Sequence, residues 1–443
     1  MSTLDVKKEL HPFTAQFLEQ SQGLNREGWS SWLTQYQQDA QRTLPALKVP
    51  GKKDEEWRFI KLNPILKAGF SRAAAVPLKL SAESLSELAF EGEVAARLVF
   101  LNGQLSRELS SVEGLPEGVT VKSWSEFASQ PESEVTREVL GSVDFWKEDL
   151  FFQINNATFE EGAVVVVPRH TVVEAPIHLL YLNSGEEGRF ASHPRNLILA
   201  GESSELTVVE EHRGLGSGEY FTNVVDEVLV GRNATLRHFK VQREGLEAFH
   251  VARNVVRLQQ DCTYVGTAVN FGAALSRNDS YAHYEGENID CTLDGLAHLR
   301  GSQVSDTHTA IDHRLPNSRS YQLHKVVVDE KAHSVFNGKI FVRQDAQLTR
   351  SEQLNQNLVL SRKAHVDTKP QLEILADDVI CSHGATVGQL EEEQAFYLMS
   401  RGIDPEQARG ILTYAFAAEV LETINVVSLR RELELELMAS AES

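Results

Sequence analysis

Two residues near the end of the chain have the types and the spacing of metal ligands, or of a nucleophile and its base. Cys381 and His383 stand two apart in the stretch ADDVICSHGATVG, residues 376–388. On a strand, residues i and i+2 point to the same face, so a thiolate and an imidazole would lie side by side. They suit iron or zinc but make only half of a four-coordinate site. The remaining ligands would come from elsewhere in the chain or from another chain.

Two other interpretations of this pair stay open on spacing alone. Cys381 could be a nucleophile with His383 as its base, although the sequence supplies neither an oxyanion site nor a substrate pocket. A buried cysteine beside a histidine that hydrogen-bonds to backbone would be purely structural.

Histidine is concentrated in one part of the chain. All but one of the 15 histidines lie between residues 170 and 383, so a transition metal would bind there. His308 and His313 are five apart and would face opposite sides of a strand. With Asp306 and Asp312 nearby they would form either a metal cluster or a polar, hydrogen-bonded ladder. No CxxC, HxxxH or HExxH spacing occurs.

Composition and missing motifs exclude several classes of function. The net charge is −20, which argues against nucleic acid or an anionic membrane as the main partner. Neither a Walker A pattern nor GxSxG nor GxGxxG is present. The N-terminus lacks a signal-peptide core, and three cysteines form no disulfide framework. We therefore expect a cytoplasmic protein without a membrane span.

The residues around this candidate site predict a long all-β segment. Apolar and polar residues alternate from about Phe159 to Val387, and no helical pattern interrupts them. Upstream, Asn102-Gly103 is a strong hairpin signal. A further helical piece is expected near residues 131–150.

A weak repeat divides this β segment into coils. Small residues recur at Ser204, Ala234, Cys262 and Cys291, at steps of about 30 residues, and Val228 and Val230 match Val256 and Leu258. Such a step favours a right-handed parallel β-helix over a sandwich or jelly roll. Because Cys262 and Cys291 occupy the small position of this repeat, we expect both to be small residues of the core.

Three regions follow: an N-terminal helical and mixed region (1–158), the parallel β-helix core (159–388) and a C-terminal helical region (389–443). In the last region Gly402 ends one helix, and Asp404 and Pro405 begin the next. This helix carries an apolar face, which packs on its own β-core or docks a partner subunit: Ile411, Leu412, Ala415, Phe416, Val420, Leu421 and Ile424.

Most of the chain resembles the SufB/SufD family of iron–sulfur cluster assembly proteins. The resemblance is carried by HTAIDHRLPNSRSYQLHKVVVDEKAHSVFNGKIFV, by AQLTRSEQLNQNLVLSRKAHVDTKPQLEILADDVICSHGATVGQL and by YLMSRGIDPEQARGILTYAF. Weaker likeness extends upstream to DEEWRFIKLNPIL. The EEWRF segment and the absence of any cysteine before Cys262 are typical of the SufD branch rather than the SufB branch.

The resemblance implies a non-catalytic scaffold subunit with the fold predicted above. It implies pairing with SufB through the β-helix core and docking of the ATPase SufC by the C-terminal helices, so that ATP binds to SufC. A homodimer is a further expectation.

The resemblance also gives the opening pair a role. It implies that His383 lies at the SufB–SufD interface as a ligand or assembly residue for a nascent iron–sulfur cluster, and that Cys381 lies at the same interface. Of the two, His383 is the favoured metal ligand. Cysteine and acidic residues of SufB would complete the site, and no permanently bound cofactor is expected. Two rival functions stay open: a structural partner of SufB without a ligand of its own, and a carbohydrate-active β-helix protein.

Overall fold

The computed structural model describes residues 10–131 and 136–441. Residues 1–9 and 132–135 of the N-terminal region and residues 442–443 lie outside the described residues. The part of the expected helical piece near residues 131–150 that is described contains a short 3-10 turn, Asp144–Trp146, just before a helix begins at Leu150.

Short helices and strands form the N-terminal region. They are, in chain order, α1 (Pro12–Gln22), α2 (Ser31–Thr43), α3 (Asn63–Lys67), β1 (Ser71–Arg72), α4 (Ala82–Leu88), β2 (Ala96–Leu101), β3 (Gln104–Leu105), β4 (Thr120–Ser123), α5 (Trp124–Phe127) and α6 (Leu150–Thr158). The hairpin signal is confirmed, because β2 and β3 pair antiparallel around Asn102 and Gly103, both with positive φ. Strands β2 and β4 join the two large sheets described next.

The β-core is a parallel β-solenoid of about eight turns, which confirms the predicted fold class. Its strands are β5 (Ala163–Val167), β6 (Ile177–Asn183), β7 (Phe190–Ser192), β8 (Arg195–Ala200), β9 (Glu205–Gly214), β10 (Tyr220–Val230), β11 (Thr235–Arg243), β12 (Phe249–Leu258), β13 (Thr263–Asn270), β14 (Leu275–Tyr284), β15 (Asp290–Leu299), β16 (Val304–His313), β17 (Arg319–Val328), β18 (His333–Val342), β19 (Arg350–Val359), β20 (His365–Ile374) and β21 (Ile380–Gly388).

From β8 onward the chain alternates between two sheets. Sheet A runs β20-β18-β16-β14-β12-β10-β8-β5-β4, and sheet B runs β21-β19-β17-β15-β13-β11-β9-β6-β2-β3. Each strand therefore pairs, parallel, with the strand two later in the chain. A sequence repeat whose length equals one coil of a solenoid predicts this parallel pairing.

The predicted repeat is right in one place and wrong in another. Val228 pairs with Val256, and Val230 with Leu258, as expected. Cys291, however, pairs with Tyr264 and not with Cys262. The error is two residues, which keeps both cysteines facing inward, because side chains alternate along a strand with a period of two.

Part of each outer face of the solenoid is covered by helices or by the N-terminal region. Aromatic and aliphatic side chains of the N-terminal region, such as Phe13, Trp57 and Phe151, pack on Phe221 and Phe249 of sheet A. In the described part of the C-terminal region, three helices follow the solenoid: α7 (Glu392–Ser400), α8 (Pro405–Leu421) and α9 (Val427–Ala441). Apolar residues of α8, of α9 and of the turn between them pack on sheet B. None of the described helices is long and apolar enough to span a membrane.

The apolar face predicted for α8 divides into two parts. Asp404 caps the helix by accepting from the N–H of Glu406, with Pro405 in the first turn. Val420, Leu421 and Ile424 are fully buried with sheet B, so this part packs on the β-core, one of the two alternatives left open. Ile411 and Ala415 are exposed instead, because the helix turns them away from the sheet.

Candidate functional site

Strands β20 and β21 form the terminal coil of the solenoid (residues 365–388). Each is the last strand of its sheet, so each leaves one edge without a strand partner among the described residues. Nearly all of β21 is exposed. The coil also exposes large apolar side chains, including Leu375 at 57%, Ile380 at 67% and Val387 at 56%. Exposed apolar edge strands are templates for pairing with another chain.

Cys381 and His383 lie on this terminal coil and face the end of the solenoid interior. In the parallel register Cys381 pairs with Ser351 and His383 with Gln353. Ser351 and Gln353 are buried in the interior, and aligned residues on neighbouring strands point to the same side. The predicted i, i+2 arrangement on one strand face is therefore present.

The two side chains differ in their surroundings. Cys381 is partly buried against an apolar cluster that includes Val342 and Ala346, whereas His383 is exposed. Burial raises the pKa of the Cys381 thiol, and a hydrogen bond with the Ser351 backbone opposes this. The thiol is therefore protonated near neutral pH, and a metal ion would have to displace that proton.

Within the described residues the pair has no third metal-ligating neighbour. No other His, Cys, Asp or Glu side chain joins Cys381 and His383 in a group of three whose ligand atoms lie within 4.8 Å of one another. The described part of the chain thus supplies two donor atoms at an open edge. A four-coordinate ion held there would need donors from outside the described residues.

Sequence reasoning missed a buried polar column inside the solenoid. The Lys240 ammonium contacts Asp226 of the facing sheet and lies 3.4 Å from Glu210. His212 Nε2 lies 2.7 Å from Glu210 Oε1, and His238 Nε2 lies 3.3 Å from its other oxygen. All five residues lie on strands that also place apolar side chains in the interior, such as Val208 and Leu236. The sequence does contain a sign of this column: a charged residue stands at a position that the alternation of side chains places inside the solenoid, as in LTVVEEH.

His308 and His313 face opposite sides of β16, as predicted. His308 Nε2 lies 2.8 Å from Asp306 on the outer face, whereas His313 Nε2 lies 2.9 Å from Ser320 in the interior. Asp312 is not in the same group, because it accepts from Arg343 and Tyr281. The region is therefore a hydrogen-bonded ladder on the described residues, not a single metal cluster.

Cys262 and Cys291 are packing residues in the solenoid interior. Both belong to the central apolar cluster and are almost fully buried. Burial raises the pKa of Cys262 to about 12 and raises that of Cys291 as well. Neither thiol is a thiolate near neutral pH, which agrees with the core role expected of both.

Two family models match almost the whole chain. Residues 8–179 match the SufBD protein N-terminal region. Residues 181–416 match the model described as SUF system FeS cluster assembly, SufBD core domain, which covers more than half of the chain. The chain belongs to the SufB/SufD family. It is an iron–sulfur cluster assembly protein, as the family description states.

Named relatives of the SufB/SufD family agree with this assignment. An iron–sulfur cluster assembly SufBD family protein of Synechocystis is 37% identical over 91% of this chain and 90% of its own length. The iron–sulfur cluster assembly protein SufD of Escherichia coli is 33% identical over 87% of this chain and 88% of its own. The chloroplastic protein ABCI7 of Arabidopsis thaliana is also 33% identical, over 86% and 80%. Within the SufB/SufD family the chain is SufD-like.

Proposed function

We propose that this chain is a SufD-type scaffold half that pairs with a SufB-type chain through its terminal coil and supplies Cys381 and His383 to a nascent iron–sulfur cluster. The cluster is the cargo of the assembly, shared across the interface and released from it. The observation that carries the proposal is the position of both donors at the uncovered end of the solenoid.

The geometry of the terminal coil supports pairing with another β-solenoid. Its two edge strands, β20 and β21, present backbone donors and acceptors, and exposed Leu375, Ile380 and Val387 would be covered by a partner. A second solenoid that continued either sheet would bury this apolar surface and satisfy the edge. A homodimer would use the same surface.

The donor set supports a shared metal centre. A thiolate and an imidazole are suitable iron ligands, and two donors at an edge leave positions for the ligands of a partner. Cysteine and carboxylate side chains of the SufB-type chain would fill them. As a neutral donor, the His383 imidazole would hold the cluster less tightly than a thiolate and so favour its release.

Docking of a SufC-type ATPase is assigned to the C-terminal helices, with α7 at the centre. No residue of α7 is buried, and its Phe396 and Tyr397 are 68% and 58% exposed. Large exposed aromatics on a helix are typical of protein interfaces. The chain itself is assigned no catalytic activity, since ATP hydrolysis belongs to that partner, and it is assigned to the cytoplasm.

Closure of two ATPase subunits would connect these two surfaces. ATP binding would draw the docked C-terminal helices together, and because α8 packs on sheet B the strain would reach the solenoid and its terminal coil. Opening of the interface would then expose Cys381 and His383 for assembly.

The test is anaerobic cluster loading of the complex co-purified with SufB and SufC. We expect His383→Ala to leave the complex assembled and to lower its visible absorption and its iron and sulfide content. Ser382→Ala is the matched control, because Ser382 is exposed on the same strand and faces the other way. If His383→Ala loads cluster as the wild type does, the chain is a structural partner only, which is the second candidate function.

The carbohydrate-active alternative has no support from the two family models.

A further inference from the structure

A second group of metal-ligating side chains lies on the outer face of the last two strands of sheet A. His333 begins β18, and His365 and Asp367 lie at the beginning of β20. His333 and His365 are register partners, and Asp367 is two residues further along the same strand face. The solenoid thus brings together residues that are more than 30 positions apart in the sequence.

The three ligand atoms of this group converge. His333 Nε2 lies 2.8 Å from Asp367 Oδ2, and His365 Nε2 lies 3.3 Å from the same oxygen. All three ligand atoms lie within 4.8 Å of one another. Ligands bound to one ion at about 2.1 Å are separated by about 3.0–3.4 Å, depending on coordination number. Only small side-chain movements would therefore place an ion between them.

The group is open to solvent on one side, and the outward lysine that follows it on β20 is already paired. The side chains of His333 and Asp367 are 21% and 26% exposed, and that of His365 is 67% exposed, so water can reach the group from one side. Lys369, the next outward residue of β20, is already paired with Glu55. The opposite neighbour of His333 across the sheet is the apolar Val304.

We propose that His333, His365 and Asp367 bind a divalent transition-metal ion of the zinc or iron(II) type. Two imidazoles and one carboxylate with open positions are a recurrent donor set for these ions. The carboxylate supplies one negative charge, and both imidazoles bind as neutral donors, so binding needs no redox step. The ion ties β20 to β18 and so stabilises the terminal coil. This site is separate from Cys381 and His383, and the proposal does not depend on their role.

The experiment uses the full-length chain with Cys381→Ala and His383→Ala as the background, so that the proposed cluster site is absent. Co²⁺ is the probe, followed by its visible absorption and by equilibrium dialysis. We expect one Co²⁺ per chain and a higher melting temperature when the ion is bound. Adding His365→Ala or Asp367→Asn should weaken Co²⁺ binding at least about tenfold and remove the shift in melting temperature.

A matched control separates this site from other histidines. His170→Asn removes an exposed imidazole from a turn with φ of 59°, where asparagine is well tolerated, and should bind Co²⁺ like the background. His365 is largely exposed, so its removal should leave the circular dichroism spectrum unchanged. The proposal is overturned if the background binds no Co²⁺, or if neither His365→Ala nor Asp367→Asn weakens the binding. Both readouts are independent of whether His383→Ala loads cluster in the complex.

Discussion

At the scale of single residues, the solenoid interior holds charges that depend on one another. Burial alone would lower the pKa of Lys240, but Asp226 and Glu210 outweigh it and raise that pKa. Burial and the charge of Glu210 raise the pKa of Asp226. The ammonium therefore compensates two acids that face each other from the two sheets. Removal of one member of such a group leaves an uncompensated buried charge.

Lys240→Met tests this dependence. We expect the free energy of unfolding to fall by about 3–5 kcal/mol, because Asp226 and Glu210 lose their buried counter-ion. Urea unfolding followed by circular dichroism measures it. Lys331→Met, at an exposed turn, is the control and should change stability by less than about 0.5 kcal/mol. The double variant Lys240→Met/Asp226→Asn should recover part of the loss. Equal stability of Lys240→Met and Lys331→Met would show that the ammonium is not needed.

At the scale of elements, the hydrophobic period and the local capping signals identified strands and the start of a helix. They did not determine the register between neighbouring strands. Alternation predicted the strands, and Asp404 with Pro405 predicted the start of α8. The two-residue error at Cys291 arose because turn lengths vary between coils, while alternation reports only the face of a strand. Prediction of the group formed by His333 and His365 would require this strand register, which the spacing of residues in the sequence does not give.

The apolar surface of the C-terminal helices shows another limit of prediction from the sequence. An amphipathic pattern identifies an apolar face but not what covers it. Val420 and Leu421 are buried with sheet B, so removal of residues 404–443 would expose the β-core as well as remove an interface. A test of partner docking should therefore change α7, none of whose residues is buried and whose Phe396 and Tyr397 are largely exposed.

Phe396→Ala with Tyr397→Ala is expected to weaken binding of the SufC-type ATPase by at least tenfold, about 1.4 kcal/mol or more. Truncated aromatic anchors commonly cost this much at interfaces. Both side chains are exposed, so the melting temperature of the isolated chain should not change. Isothermal titration with the purified ATPase measures the affinity, and Glu393→Ala on the same helix is the control. If the double variant binds the ATPase with unchanged affinity, the docking surface does not lie on α7.

At the scale of the whole molecule, the solenoid is held between two coverings, and Glu56 is one of the carboxylates that link the N-terminal covering to sheet A. Glu56 accepts from His308 at 3.0 Å and from Asn337 at 3.3 Å, and pairs with Lys339 at 2.5 Å. The adjacent Trp57 ring lies 3.9 Å from the Arg277 guanidinium carbon. These contacts join residues more than 200 positions apart, so they form only when the N-terminal region is docked on the sheet.

The charge of Glu56 makes this docking depend on pH. The hydrogen bond from His308 lowers the pKa of Glu56 well below 4.5, against the opposing effect of burial. Burial and Arg277 would lower the pKa of His308, but Asp306 and Glu56 outweigh them and raise it above 6.5. The contribution of Glu56 is thus present above pH 4.5 and is lost as the pH falls through its folded pKa. That of His308 is present below pH 6.5 and is lost as the pH rises through its folded pKa.

Glu56→Gln keeps the size of the side chain and removes its charge, so it should loosen the N-terminal covering without unfolding the solenoid. We expect faster tryptic cleavage of the N-terminal region and faster amide exchange in β16 and β18, while β11 and β13 of sheet B stay protected. The stability difference from wild type should be largest between pH 4.5 and 6.5 and smaller on either side. Glu83→Gln, exposed on α4, is the control. If Glu83→Gln loosens the covering equally, or if the Glu56→Gln difference is independent of pH, then the charge of Glu56 does not hold the N-terminal region on the solenoid.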